Sequence, residues 1–232
     1  MVSIGKRKFA ARNRMRKRKG LPPIKHAPVK HAPVKPTPVA SRPTVFPEEG
    51  PEYYDVHIPK DLSADTYWKK LYDKVLSLLP PADSGVAIAE LGCGPGYLAK
   101  ILYDEGYTNY HGIDFSEVCI KLARERVPYL DFFVGNLYDR GIQNEFANYD
   151  VFISLETLEH LENDLAVLEA IPSGRKVIFS VPNNAAPGHI RIFGGQEEVR
   201  LRYESLIDFD KILSIYRGRR KIYFFLAYGT RK

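Results

Sequence analysis

The spacing of hydrophobic and polar positions changes several times along the chain, and each change predicts an element. Tyr67, Trp68, Leu71, Val75, Leu78 and Leu79 recur at helical spacing, predicting an amphipathic helix over residues 63–79 that stops at Pro80-Pro81. Residues 86–91 are a short unbroken apolar run, followed by a glycine turn over 92–96 and a helical pattern over 98–105. The same alternation continues: strand 110–114, helix 117–126, strand 130–134, strand 150–154, helix 158–170, and strand 176–181 closed by Pro182-Asn183. Strands alternating with helices at this pitch predict a parallel sheet with helices on both faces. The ending differs. The β-rich runs 212–216 and 222–228 are separated only by Arg217-Gly218-Arg219-Arg220, which predicts a hairpin and an antiparallel last strand.

Charge divides the chain at about residue 46. Residues 1–46 hold 13 of the 34 Lys and Arg and none of the 28 Asp and Glu, so the body over 47–232 is net −7 although the whole chain is +6. Residues 1–20 have little apolar content to bury and are expected to be disordered. Lys25-His26-Ala27-Pro28-Val29 repeats as Lys30-His31-Ala32-Pro33-Val34 and then more loosely, and proline at every fifth position favours an extended spacer. Three uses fit such a tail: salt-sensitive binding to nucleic acid, an address signal, or an inert solvated extension. Two domains are therefore expected, a disordered basic tail over 1–46 and a catalytic domain over 47–232.

Other features narrow the class. No apolar run approaches the ~20 residues of a membrane-spanning helix, so no membrane association is expected. Cys93 and Cys119 are too few and too far apart for a disulfide framework or a zinc site. A cytoplasmic setting is expected.

The chemistry begins at Glu90-Leu91-Gly92-Cys93-Gly94-Pro95-Gly96. Glycines at the end of a first strand let backbone approach a ligand closely and turn at once into a helix. Gly94-Pro95-Gly96-Tyr97-Leu98-Ala99 also satisfies a relaxed dinucleotide fingerprint. Glu90 in phase ahead of Gly92, together with the terminal hairpin, instead resembles motif I of the class I S-adenosylmethionine (SAM)-dependent methyltransferases. That resemblance implies a Rossmann-like α/β domain, a mostly parallel seven-stranded sheet with a C-terminal antiparallel hairpin strand, and SAM as cofactor. It implies cofactor contacts from Glu90, Gly92, Cys93, Gly94, Gly96, Asp114, Phe115, Asn136, Leu137 and Leu155. Glu90 would face the cationic end of the cofactor and Asp114 its ribose hydroxyls, although Asp114 can equally cap the following helix. Asn136 stands where the family more often has Asp, and it can still accept from an adenine amino group.

The turn after the fourth strand, Glu156-Thr157-Leu158-Glu159-His160, is expected to face the transferred methyl group. If it is helical, Glu156, Glu159 and His160 share one face. This E-x-x-E-H cluster resembles the quinone-biosynthesis O-methyltransferases and the Hen1-type RNA 2′-O-methyltransferases. Catalytic candidates are His160, Glu156 and His189, with His160 as a base whose ordinary pKa lies near neutrality. No resident metal is expected; Glu156, Glu159, His160 and His189 are the candidates for a divalent ion, against a reading in which Glu159 and His160 are a solvated helix face or a neighbouring pair. Tyr53, Tyr54 and Tyr67 are candidates for a lid, while Trp68 sits on an apolar helical stripe that favours core packing. The absence of an Asn/Asp-Pro-Pro-aromatic sequence argues against exocyclic-amine DNA methylation, and the absence of a Pro-Cys loop argues against cytosine C5 chemistry. The leading expectation is transfer to an oxygen or nitrogen of a small molecule. The alternatives are an RNA 2′-O-methyltransferase that uses the acidic cluster and the tail, and a non-catalytic SAM-binding protein tethered to nucleic acid.

Overall fold

The computed structural model describes residues 47–58, 66–218 and 222–232, all within the compact unit Val39–Lys232. The tail and repeat expected over 1–46 lie outside the described residues. The described strands are β1 (Ile88–Leu91), β2 (Tyr110–Asp114), β3 (Asp131–Val134), β4 (Val151–Leu155), β5 (Lys176–Pro182), β6 (Ile207–Tyr216) and β7 (Tyr223–Arg231). They form one sheet in the order β3-β2-β1-β4-β5-β7-β6. The first five strands are mutually parallel, and β7 runs antiparallel between β5 and β6.

The unbroken apolar runs are the central strands, which are covered on both faces. Ala89, Leu91, Phe152, Val177 and Phe179 point to one face, where they pack with Val167, Leu168, Val199 and Tyr203. Ile88, Val151, Ile153 and Ile178 point to the other, against Leu71, Val75, Leu98, Leu102 and Ile120. The second face is covered by α2 (Thr66–Leu76), α3 (Tyr97–Asp104) and α4 (Glu117–Arg126). The first is covered by α6 (Asp164–Ala170) and α7 (Gln196–Tyr203). Two short helices, α1 (Pro51–Val56) and α5 (Arg140–Asn144), lie outside this pattern.

Three expectations are corrected. The helix placed over 63–79 has its described part at Thr66–Leu76, with a turn at 77–79 in which the Ser77 hydroxyl donates to the Lys74 carbonyl. The helix placed over 158–170 is two pieces, a single 3₁₀ turn at Leu158–His160 and α6. Its break is filled by Arg191, whose guanidinium donates to the carbonyls of Leu158, Leu161 and Glu162. Helix α7 is missing from the sequence reading because only Val199 and Tyr203, one i,i+4 pair, are buried in an otherwise polar segment.

Asp164 joins the two helices of the first face. Its fully buried carboxylate accepts from Arg202 Nε at 2.8 Å and from the Tyr203 hydroxyl at 2.7 Å, and Arg191 stands 3.2 Å away. Removing it strands two guanidinium groups, which are partly exposed and so partly relieved by water. Asp164→Ala is expected to cost roughly 2–4 kcal/mol of unfolding free energy, measured by urea denaturation.

Candidate functional site

The carboxyl ends of β1, β2, β4 and β5 open into a cavity of about 420 Å³ lined by residues from every one of these exits. Of the residues expected to hold a cofactor, Glu90, Gly92, Cys93, Gly94, Asp114, Phe115, Asn136, Leu137 and Leu155 all line it. Gly96 does not; a Cβ there would meet Ala123 of α4 at 3.0 Å, so this glycine serves helix packing. Gly92 and Gly94 also separate. Both have positive φ, at +75° and +51°, but a Cβ at Gly92 would strike the Thr157 side chain at 2.4 Å, whereas one at Gly94 has nothing within 4 Å. A side chain at Gly94 would therefore enter open space, whereas one at Gly92 would clash with the turn after β4.

Asp114 braces this loop. One carboxylate oxygen accepts from the Gly94 N–H at 2.8 Å and the other from the Ser116 N–H at 2.9 Å, while Ser116 itself caps α4 by accepting from the Cys119 N–H. Capping thus falls to Ser116, and Asp114 ties the glycine loop to the end of β2. Each of its oxygens keeps a lone pair for a ligand. Glu90 is buried and accepts from the Tyr110 hydroxyl at 2.5 Å. Burial pushes its carboxyl up to about 8, partly opposed by that hydrogen bond.

The roof comes from residues 47–58. Glu48, Glu49, Tyr53, Tyr54 and His57 line the cavity. Glu48 accepts from the Tyr138 hydroxyl and from the Glu162 N–H, Asp55 accepts from the Ser116 hydroxyl, and the Tyr54 ring rests on Phe115. Tyr53 and Tyr54 take the expected lid position. Trp68 both lines the cavity and packs on Phe224, while Tyr67 packs on the same aromatic group without reaching the lining.

At the far end, Glu156, His160 and His189 line the cavity. The expected helical face is not formed. Glu156 has φ +52°, a strained value for a side-chain-bearing residue, and only Leu158–His160 make a turn. The Ser180 hydroxyl donates to Glu156 Oε1 at 2.9 Å, and burial pushes that carboxyl up to about 8. Glu159, His160 and His189 instead converge, with one potential ligand atom from each within 4.8 Å of the others. Glu159 is fully buried, set behind the cavity wall, and neither carboxylate oxygen has a hydrogen-bond partner among the described residues. A solvated helix face is thereby ruled out, while the two side chains are neighbours, with His160 Nε2 3.9 Å from Glu159 Oε1. His160 Nδ1 lies 2.9 Å from both the Gly188 carbonyl and the Tyr54 hydroxyl, and His189 Nδ1 lies 2.9 Å from the Asn184 carbonyl. A carbonyl only accepts, so both Nδ1 atoms carry the proton and both Nε2 atoms present lone pairs. Burial and neighbouring His189 push His160 down to about 4, so the neutral-range pKa expected of it does not hold.

Sequence reasoning missed Thr157, Asn184, Pro187 and Arg217, which also line the cavity. No motif marks them; they arrive through the turns after β4 and β5 and through the β6–β7 hairpin.

The comparisons agree with this architecture. Residues 88–173 match a family model described as a methyltransferase domain. The chain is 24% identical over 171 residues to a probable S-adenosylmethionine-dependent methyltransferase of Mycolicibacterium smegmatis, covering 68% of this chain and 65% of that protein. It is 27% identical over 138 residues to a ubiquinone biosynthesis O-methyltransferase of Vibrio parahaemolyticus, covering 56% of this chain and 58% of that one. The matches thus span less than two thirds of these curated relatives. The solved structure of magnesium protoporphyrin IX methyltransferase from Synechocystis PCC 6803 with bound SAM shares the fold, with TM-score 0.55, 18% identity, and coverage of 75% of this chain and 85% of that one. The chain is thus similar to a methyltransferase domain in sequence over residues 88–173 and to a SAM-bound methyltransferase in fold, with a seven-stranded sheet that ends in an antiparallel strand. Among the described residues no helix is long and apolar enough to cross a membrane.

The Glu90 shift makes a stability prediction. Its pKa in the empty fold, about 8, is above the ordinary value of 4.5. The protonated form is therefore the one the fold favours, and this contribution is complete below about pH 4.5 and lost as pH rises through 8. Ligand-free protein is expected to lose on the order of 3 kcal/mol between pH 5 and 8.5 relative to Glu90→Gln. Parallel urea curves for the two proteins across that range check it; curves that stay parallel at every pH count against it.

Proposed function

We propose that the domain is a SAM-dependent O-methyltransferase acting on the hydroxyl of a small acceptor. The observation that carries this reading is one roofed cavity joining the glycine loop at its cofactor end to His160 and His189 at its acceptor end. The cofactor supplies a methyl group activated as a sulfonium. Gly94 leaves backbone open to the cavity, Asp114 and Asn136 offer acceptors for ribose hydroxyls and an adenine amino group, and Glu90 becomes the favoured counter-charge once a cation enters. Closure of α1 over the pocket excludes water, and holding both reactants in line provides most of the rate acceleration for such a displacement.

At the acceptor end burial pushes both histidines toward the neutral form, His160 down to about 4, so His160 can take a hydroxyl proton but is a weak base. This motivates a second element. Glu159, His160 and His189 fit a divalent cation: a buried carboxylate without a donor, and two imidazoles whose Nδ1–H groups are turned to carbonyls in the manner of metal ligands. Such an ion supplies Lewis acidity that lowers the pKa of a bound hydroxyl. Gly94→Arg is expected to weaken S-adenosylhomocysteine binding at least ~100-fold by calorimetry, while Glu159→Gln abolishes Mn²⁺ binding and spares cofactor binding. Tight cofactor binding by Gly94→Arg would overturn the cofactor site, and unchanged Mn²⁺ binding by Glu159→Gln would overturn the ion site.

Residues 1–46 favour a second acceptor, RNA, because 13 positive charges without one acid suit a polyanion. Deleting 1–46 separates the two readings. Small-molecule transfer is expected to survive the deletion, whereas under the RNA reading both RNA affinity and its salt dependence collapse, measured by filter binding across a salt series.

A further inference from the structure

Arg217 is the only Lys or Arg among the described residues lining the cavity, which also carries Glu48, Glu49, Glu90, Asp114 and Glu156. It begins the β6–β7 turn, where its backbone N–H donates to the Ile222 carbonyl. Its guanidinium lies over Phe224 at 4.4 Å and within 6 Å of the Tyr67 and Trp68 rings. One nitrogen, Nη1, donates to Asn184 Oδ1 at 3.2 Å and stands 4.0 Å from Glu156 Oε2. The remaining N–H groups, on Nε and Nη2, have no hydrogen-bond partner among the described residues. An arginine held flat by aromatic rings, with half its fork unused, is preorganised to receive an oxyanion.

Its place relative to the reaction is set by Asn184. The side chain of that residue holds Arg217, and its backbone carbonyl holds His189 Nδ1. The guanidinium and the acceptor-end imidazole are therefore separated by the width of a single residue. Glu156 does not occupy the fork: its Oε2 stands 4.0 Å from Nη1, at the limit of an ion pair, and its Oε1 accepts from the Ser180 hydroxyl. Trp68 adds a buried indole N–H without a partner on the same wall.

We infer that Arg217 is an anion seat within the acceptor site, so that the acceptor is a hydroxylated compound bearing a carboxylate or phosphate beside the hydroxyl that is methylated. This rests on the O-methyltransferase reading and narrows its substrate class. The bidentate geometry of Arg suits both anions, so the test carries an arm for each.

The full chain, saturated with S-adenosylhomocysteine, is titrated calorimetrically with two pairs of probes: protocatechuate against its neutral amide, and ribose phosphate against ribose. In at least one pair the charged member is expected to bind roughly ten-fold tighter. Arg217→Gln is expected to reduce that preference to less than about two-fold, and Arg217→Lys to leave an intermediate value, since Lys keeps charge and loses the fork. A purely structural Arg217 would weaken charged and neutral probes alike, leaving their ratio unmoved. No preference in either pair, or a preference that survives in Arg217→Gln, overturns the anion seat while retained S-adenosylhomocysteine binding leaves the cofactor reading standing. Failure of the wild-type chain to bind S-adenosylhomocysteine overturns both.

Discussion

The site depends on satisfying backbone polar groups where parallel strands stop. A strand that leaves a buried sheet must place its last N–H and C=O groups on partners, because water cannot reach them. Here the partners are neighbouring strands. Gly92 and Cys93 donate to the Ile113 carbonyl, Gly135 to the Asp114 carbonyl, Glu156 to the Ser180 carbonyl, and the Ser154 hydroxyl to the Leu91 carbonyl. Each exit is locked to the next, so the loops diverge from one common edge and the cavity opens there. The cofactor end needs no separate device beyond this edge and the Asp114 carboxylate that bridges Gly94 and Ser116.

The acceptor end needs more, because its groups come from two turns that share no strand. Arg191 supplies the link. It lies two residues after His189 and donates to three carbonyls around Glu159 and His160, while the Ile190 N–H donates to the Glu159 carbonyl. Asp164 holds Arg191 in turn and is itself fixed by Arg202 and Tyr203. A polar brace that serves the α6–α7 packing thus also sets the convergence of Glu159, His160 and His189. The roof completes it, since Tyr54 reaches His160 from above. Its hydroxyl pKa is raised by burial and by Glu159, so it remains a neutral group there.

Much of the fold was legible because its signal is local. The apolar runs of β1, β4 and β5 are buried on both faces, and α4 follows its Ser116 cap over the residues its pattern predicts. The wall of the cavity at the glycine loop was legible for the same reason: Gly92, Gly94, Asp114 and Asn136 line it from strand ends that the sequence already marks. What was not legible is set by tertiary contact. The 158–170 pattern reads as one helix because its apolar spacing is helical, and only Arg191, some thirty residues on, shows why it breaks. Glu156 looked like a member of that helix face and lies instead in a left-handed bend. Arg217 sits in a hairpin whose composition suggests nothing beyond a solvated turn, and α1 is too short to leave a period.

The distribution of charge links the two ends. Glu90, Glu156 and Glu159 are all pushed toward the neutral form by burial, and His160 and His189 are pushed the same way for the same reason. Burial thus disfavours the charged form of each of these groups, and a partner of opposite sign offsets that cost for a carboxylate. Under the proposed function, the sulfonium of the cofactor would favour ionised Glu90, and a divalent ion would favour ionised Glu159. Arg217 is the exception, because a guanidinium cannot discharge by losing its proton. It keeps its charge by lying on aromatic faces and partly in reach of solvent, which makes it the fixed positive charge among the described residues lining the cavity.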